Sequence, residues 1–276
     1  MIMNWSQIIQ KVQTDGFCVI ENFLDIKDLK LMQETTKNYS LEKGNNSGKY
    51  AISNKSLLIK LIKFDFKKIY YSFLLKKFAD KFNFRDTSNK ILQCNTELTN
   101  IDTYFNNVSS EPVLDWHCDL SNKNSFKRGK IVNPEMVSIK FFFYLTNVYT
   151  NNGCLSYIPG SHAVVKELGR LIFSKEIDYE YYWSLKALTA LIKRGDIRKK
   201  LEKKLNNEVI EKFLINSDKI LIEKKNDIFD LPSKKGGLVI FDEYGVHRGS
   251  KIEKEPRKVI RFFYRKKGIN EKYRNY

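Results

Sequence analysis

Trp116-His117-Cys118-Asp119 sets an imidazole and a carboxylate two residues apart, and a second imidazole, His247, follows far downstream. In an extended segment the side chains at i and i+2 point the same way. His117 and Asp119 can therefore reach one ion while Cys118 points elsewhere. Two imidazoles and one carboxylate are the donor set that holds a non-haem Fe(II) on one side and leaves the opposite positions open. Zinc competes for the same donors. The chain has three histidines, His117, His162 and His247, and each stands inside a segment with the look of a motif.

Outward from this stretch the chain has the texture of strands. Ile91–Thr103, Val137–Thr146, Cys154–Ile158, Leu238–Phe241 and Lys258–Tyr264 are rich in residues that suit a pleated surface. Earlier, Trp5–Thr14 carries apolar residues at helical spacing and stops near Gly16. Phe17–Leu24 reads as a short strand, and Asp25 can cap a helix reaching Tyr39. Lys43–Tyr50 reads as a loop, and Leu57–Phe82 as a long helical region with a break near Phe64-Asp65. Between Val165 and Asp230 helical spacing returns with no motif. That block has two readings: packing, or a lid whose aromatics Tyr179, Tyr181, Tyr182 and Trp183 line a substrate pocket. No repeat or Pro-rich linker divides the chain, so one domain is expected.

At 276 residues the chain can bury a substantial core, and 42% hydrophobic with 13% aromatic residues excludes a disordered one. The apolar runs Ile139–Leu145 and Val259–Tyr264 are too short to span a bilayer. The first twenty residues mix Asn4, Gln7, Lys11 and Asp15 with apolar ones, which is not a secretion signal, so a cytoplasmic protein is expected. Cys18, Cys94, Cys118 and Cys154 show no paired spacing and read as reduced thiols rather than disulfides or a structural zinc site. The net charge of +17 invites a nucleic-acid reading, with eleven Lys/Arg against three Glu between Arg248 and Arg274. Zinc-finger spacing, an RNA-binding sheet motif and a Gly-rich phosphate loop are all missing. A basic surface suits an anionic substrate or cofactor equally well.

Four segments then fall in a telling order. Trp116–Asp119 is followed by Asn151-Asn-Gly-Cys-Leu-Ser-Tyr-Ile-Pro-Gly-Ser-His162 and by Gly236-Gly-Leu-Val-Ile-Phe-Asp242. Val246-His247-Arg248-Gly249-Ser250 leads to Arg257-Lys-Val-Ile-Arg-Phe-Phe-Tyr264. This series resembles the phytanoyl-CoA dioxygenase family of Fe(II)/2-oxoglutarate oxygenases. Asn152-Gly-Cys-Leu155 with Pro159-Gly-Ser-His162 is similar to that family's N-G-x-L…P-G-S-H signature, and Gly16–Leu24 is similar to its opening. The resemblance implies that His117, Asp119 and His247 are the iron ligands. It also implies that Arg257 pairs with the distal carboxylate of 2-oxoglutarate, a role that suits a planar, always-charged donor. Arg261 is the weaker candidate for that role, and a surface ion pair of Arg257 with Glu253 or Glu255 is the structural alternative. Ser250 is a further candidate to touch the cosubstrate. His162 is expected to orient its turn, and Asp242 either to support His247 or to pair with a lysine.

The fold implied is mainly β with flanking helices: a double-stranded β-helix, a cupin-like jelly roll, with a helical insertion. Residues 1–276 are then expected to form one oxygenase domain, with a mainly helical part over 1–90, a core from 91–164 and 231–265, and the insertion at 165–230. The cofactors implied are Fe(II), 2-oxoglutarate as cosubstrate and O2. The reaction implied is hydroxylation of an unactivated C–H in a small-molecule substrate, with release of succinate and CO2. Relatives that halogenate lack the carboxylate ligand, and Asp119 is present here. The alternatives from other classes are a non-catalytic cupin-like metal-binding module and a basic nucleic-acid-binding protein.

Overall fold

Ser138–Tyr144, Ser-Ile-Lys-Phe-Phe-Phe-Tyr, is buried at every position because both faces of the strand it forms are covered. Ile139, Phe141 and Phe143 face a core shared with helices, while Phe142 and Tyr144 face a core between two sheets. This sidedness organises the computed structural model, which describes residues 4–39, 49–53, 66–120, 130–269 and 273–275.

The strand lies in a six-stranded antiparallel sheet of order β1-β9-β6-β11-β3-β2. Its members are β1 (Phe17–Ile20), β2 (Lys49–Ser53), β3 (Thr96–Asn106), β6 (Ser138–Tyr144), β9 (Leu238–Asp242) and β11 (Arg257–Lys266). A four-stranded sheet of order β4-β10-β7-β8 faces it, built from β4 (Ser109–His117), β7 (Leu155–Tyr157), β8 (Asp230–Leu231) and β10 (His247–Ile252). A small pair, β5 (Lys130–Val132) with β12 (Tyr273–Asn275), stands apart. The two facing sheets are the jelly roll expected from the sequence.

The helices pack in two groups. On the large sheet lie α1 (Trp5–Asp15), α2 (Ile26–Tyr39), α3 (Phe66–Lys81) and α4 (Phe84–Leu92), packed around Phe78, Phe84 and Met32. Asp25 caps α2 by accepting from the backbone N–H of Asp28 at 2.7 Å, as its position predicts. Four more helices, α5 (Ser161–Phe173), α6 (Leu185–Ile192), α7 (Gly195–Glu202) and α8 (Asn207–Leu221), form a second apolar core together with Trp116, Cys118 and Leu120. The motifless block is thus a packed layer seated on the chain around His117. Among the described residues no helix is long and apolar enough to cross a membrane.

Three local expectations need correction. Ile91 does not open a strand: it closes the buried face of α4, with Phe84, Thr87 and Ser88, and the strand begins only at Thr96. The strand from Phe17 ends at Ile20, because Asn22 turns with φ 52° and sends Phe23 and Leu24 into the helical core. The turn expected before His162, Pro159-Gly160-Ser161, follows β7, but Ser161 already begins α5. The loop expected at Lys43–Tyr50 and the helix before Phe66 lie largely outside the described residues.

Candidate metal and cosubstrate site

β4 and β10 run antiparallel and set His117 directly opposite His247, with ring centroids 4.4 Å apart. Each ring turns its Nδ1 toward a carbonyl two residues earlier, Asp115 O at 2.6 Å and Gly245 O at 2.8 Å. With Nδ1–H donating there, the Nε2 lone pairs are left to converge on a common point. Asp119 stands two residues beyond the end of β4, its Oδ1 3.5 Å from His117 Nε2 and its Oδ2 3.8 Å from His247 Nε2. The ligand atoms all lie within 4.8 Å of one another, and the 3.5 and 3.8 Å separations approach the roughly 3 Å expected for neighbouring ligands on an ion with bonds of about 2.1 Å. Cys118 does point away: it is fully buried, and its Sγ donates to the Tyr182 carbonyl.

The electrostatics suit a cation. Burial, reinforced by His117, pushes the His247 pKa down to about 3, so its imidazole is neutral and ready to ligate. Desolvation works to raise the Asp119 pKa, but Lys140 first, and then the two histidines, hold it well below the usual carboxylate range. Lys140 Nζ lies 3.1 Å from Asp119 Oδ2. The donor set therefore fits Fe(II): two imidazoles and one ionised carboxylate gathered around one space.

A cavity of about 490 Å³ runs from the two histidines to Arg257 at the start of β11, between Phe142, Leu155, Phe241 and Val259. Arg257 is buried and pairs with neither Glu253 nor Glu255. Its Nη1 donates to Gly153 O at 2.8 Å, and its Nε and Nη2 donate to Asn106 Oδ1 at 3.2 and 2.9 Å. Burial lowers its pKa to about 10, and among the described residues no carboxylate forms an ion pair with it. A buried guanidinium with neutral partners at the end of an apolar cavity suits the carboxylate of a ligand. Gly153 makes the approach possible. Its φ is +80°, and a Cβ there would meet Arg257 Cδ at 3.2 Å.

Arg261 also faces inward, rather than to the outer surface of its strand. It is clamped by Asp102 through two 2.7 Å bonds and donates to the Tyr104 hydroxyl. Ser250 is fully buried with its hydroxyl 3.6 Å from Cys154 Sγ, and it does not line the cavity. His162 packs against α1, its Nε2 3.1 Å from Gln13 O, far from the triad in its contacts. Asp242 pairs with Lys166 and caps the turn at Tyr244, so it serves the fold and not His247.

A second cavity of about 360 Å³ shares the walls His117, His247, Leu114, Tyr104 and Arg261 with the first, and adds Asp119, Lys140, Asn100, Glu243 and Arg265. Sequence reasoning missed Lys140, Glu243 and Arg265, and with them Asn100 and Asn106. The signal for Lys140 was a single lysine inside an otherwise apolar strand; the others carried none. The segment before α6 also reaches the site: Trp183 lies 5.0 Å from the His117 ring, while Tyr182 is buried in the helical core.

A family model described as phytanoyl-CoA dioxygenase (PhyH) matches residues 12–254. No curated protein sequence matches the chain. Among solved structures, EctD from S. alaskensis in its apoform aligns with TM-score 0.53 and 13% identity over 95% of this chain and 76% of that one. The epimerase SnoN, in complex with Fe3+, alpha ketoglutarate and nogalamycin RO, aligns with TM-score 0.51 and 12% identity over 95% and 83%. HygX from Streptomyces hygroscopicus, with nickel and 2-oxoglutarate bound, gives 0.50 and 12% over 97% and 88%. At these identities the likeness is one of fold.

Proposed function

The chain belongs to the phytanoyl-CoA dioxygenase family, and from that premise we propose that His117, Asp119 and His247 hold its Fe(II) and Arg257 its 2-oxoglutarate. The protein is an Fe(II)/2-oxoglutarate-dependent oxygenase. Our reading adds that residues 1–276 work as one oxygenase domain and that the product is a small molecule hydroxylated at an unactivated C–H. An anionic substrate suits the basic surface.

The observation that carries the reading is Arg257: a buried cation, without an acidic partner among the described residues, in the same cavity as two histidines aimed at Asp119. When bound, Fe(II) supplies the oxygen chemistry that couples loss of CO2 from 2-oxoglutarate, leaving succinate, to oxidation of the substrate. The chain's residues do the rest. His117 and His247 are held in one orientation by their own strands' carbonyls, and Asp119 supplies one negative charge. Arg257 fixes the far end of the keto acid. Phe142, Leu155 and Phe241 keep water from its carbon chain.

Anaerobic reconstitution tests the ligands. Asp119→Ala and His247→Ala should each weaken Fe(II) binding by at least about 100-fold, the upper end of losses seen for residues that only support a ligand. Wild-type affinity in either variant would remove that residue from the metal site. Aerobically, succinate should form from 2-oxoglutarate only when Fe(II) is present, and a hydroxylated product should be heavier by one oxygen.

A further inference from the structure

We propose that Lys140 is a positioning residue: it keeps Oδ2 of Asp119 off the metal, so that the carboxylate ligates through Oδ1 alone and the position needed by O2 stays open. The proposal rests on the reading of His117, Asp119 and His247 as the metal ligands.

Asp119 straddles the space between the two imidazoles. Its Oδ1 lies 3.5 Å from His117 Nε2 and its Oδ2 3.8 Å from His247 Nε2, so each oxygen stands near one of the two ligating nitrogens. A carboxylate placed in this way can close on a cation with one atom or with two. The difference decides what else can bind. An octahedral ion held by three protein atoms keeps three positions, two for the keto acid and one for O2. A second oxygen from Asp119 would take the last of them.

Lys140 breaks the symmetry. Its Nζ donates to Oδ2 at 3.1 Å and leaves Oδ1 beside His117. An ammonium bonded to Oδ2 competes with the ion for that oxygen and repels the ion's approach to it. The ammonium is itself fixed in place. Lys140 stands opposite Phe241 of β9 and Phe263 of β11 in the sheet register. Its Nζ lies 5.4 and 5.3 Å from the centroids of those two rings, and 3.5 Å from Glu243 Oε1. With its side chain only 6% exposed, the lysine has little room to swing away when the metal arrives.

A lysine that serves only to neutralise Asp119 within the fold has a different signature. Its removal would leave the site less ordered, and everything that binds there would bind more weakly. If Lys140 instead divides the two oxygens, its removal acts in opposite directions on two ligands. The bare ion gains a second oxygen and loses a repelling charge, so it binds more tightly. The O2 position closes.

The test uses the full chain without oxygen, with nitric oxide as the probe of the O2 position. Affinity for Fe(II) alone is measured first. The complex with 2-oxoglutarate is then formed, followed by its visible absorption, and titrated with nitric oxide, whose binding to the iron is read by electron paramagnetic resonance. Lys140→Met and Lys140→Leu, both suited to the apolar strand, should keep the iron–keto acid absorption. Each should bind Fe(II) alone several-fold more tightly than wild type. Each should bind nitric oxide about tenfold or more weakly, the size expected for loss of a hydrogen bond between charged groups. The proposal is overturned if a variant that melts cooperatively loses Fe(II) affinity or the iron–keto acid absorption, or takes up nitric oxide like wild type. If neither variant folds, Lys140 is a structural counter-ion of Asp119 and Glu243, and the proposal falls as well. A wild-type protein that forms no iron–keto acid complex would instead overturn the reading of the triad, and this proposal with it.

Discussion

Arg257 and Arg261 lie on the same inward face of one strand, four residues apart, and their surroundings could hardly differ more. Arg261 meets a carboxylate, Asp102, whose side chain is fully buried, and the pair is joined by two short parallel bonds. Arg257 meets a backbone carbonyl and an amide oxygen. Burial acts against both charges. At Arg261 the attraction of Asp102 more than offsets it, and the pKa rises; at Arg257 nothing acidic compensates, and the pKa falls to about 10. A buried cation matched within the fold is structural. A buried cation left unmatched is an invitation to an anion, and its place along a cavity that starts at two histidines says which anion suits it.

The contrast can be broken at either arginine. Arg261→Met should give the larger stability loss, about 3–5 kcal/mol in urea denaturation, because it strands a buried Asp102. Arg261→Met combined with Asp102→Leu should recover most of that loss, since an apolar pair of similar volume removes both charges. A single-variant loss below about 1 kcal/mol would mean that Asp102 has another source of compensation. Arg257→Met should behave the other way round. Two neutral acceptors lose their donor, which limits the stability cost to about 1–2 kcal/mol. The half-saturating 2-oxoglutarate concentration should rise about 100-fold, as for loss of one partner from a buried charge pair. If 2-oxoglutarate binding is instead lost with Arg261→Met and kept with Arg257→Met, the roles of the two arginines are exchanged.

Much of this was legible in the sequence because it is carried by short-range order. His117 and Asp119 are two residues apart, the Asn-Gly and Pro-Gly turns declare themselves, and β6 and β11 are long apolar-aromatic runs. The strands that hold the histidines were not legible. β4 is mostly exposed and contains Pro112, which an edge strand tolerates, and β10 reads His-Arg-Gly-Ser-Lys-Ile, with little apolar patterning. Neither declares a strand until its neighbours are in place. Asp102 and Asn106 decide which arginine is free, yet they come about 150 residues earlier and reach β11 only through its pairing with β3. The block from Val165 to Asp230 shows the same limit. Its periodicity announced helices, but only the fold shows most of its aromatic and aliphatic side chains gathered into a core with Trp116, Cys118 and Leu120, and Trp183 alone resting on His117.

The smallest effect should come from the residue that lets Arg257 sit where it does. Gly153 has φ +80°, a conformation that costs a residue with a Cβ about 1–2 kcal/mol. An added Cβ would stand 3.2 Å from Arg257 Cδ and 3.4 Å from Ile252 Cγ1, tight enough to displace them slightly. The Gly153 carbonyl also holds Nη1 of the guanidinium. Gly153→Ala should therefore lower stability by about 1–2 kcal/mol through the backbone alone and shift the arginine by a few tenths of an ångström. Because Asn106 still holds the other two nitrogens, 2-oxoglutarate affinity should fall only a few-fold, well short of the Arg257→Met loss. Thermal melting and a 2-oxoglutarate titration read the two effects separately. A Gly153→Ala protein that melts like wild type yet binds 2-oxoglutarate as poorly as Arg257→Met would show that the Gly153 carbonyl, and not the guanidinium's charge, sets the cosubstrate's position.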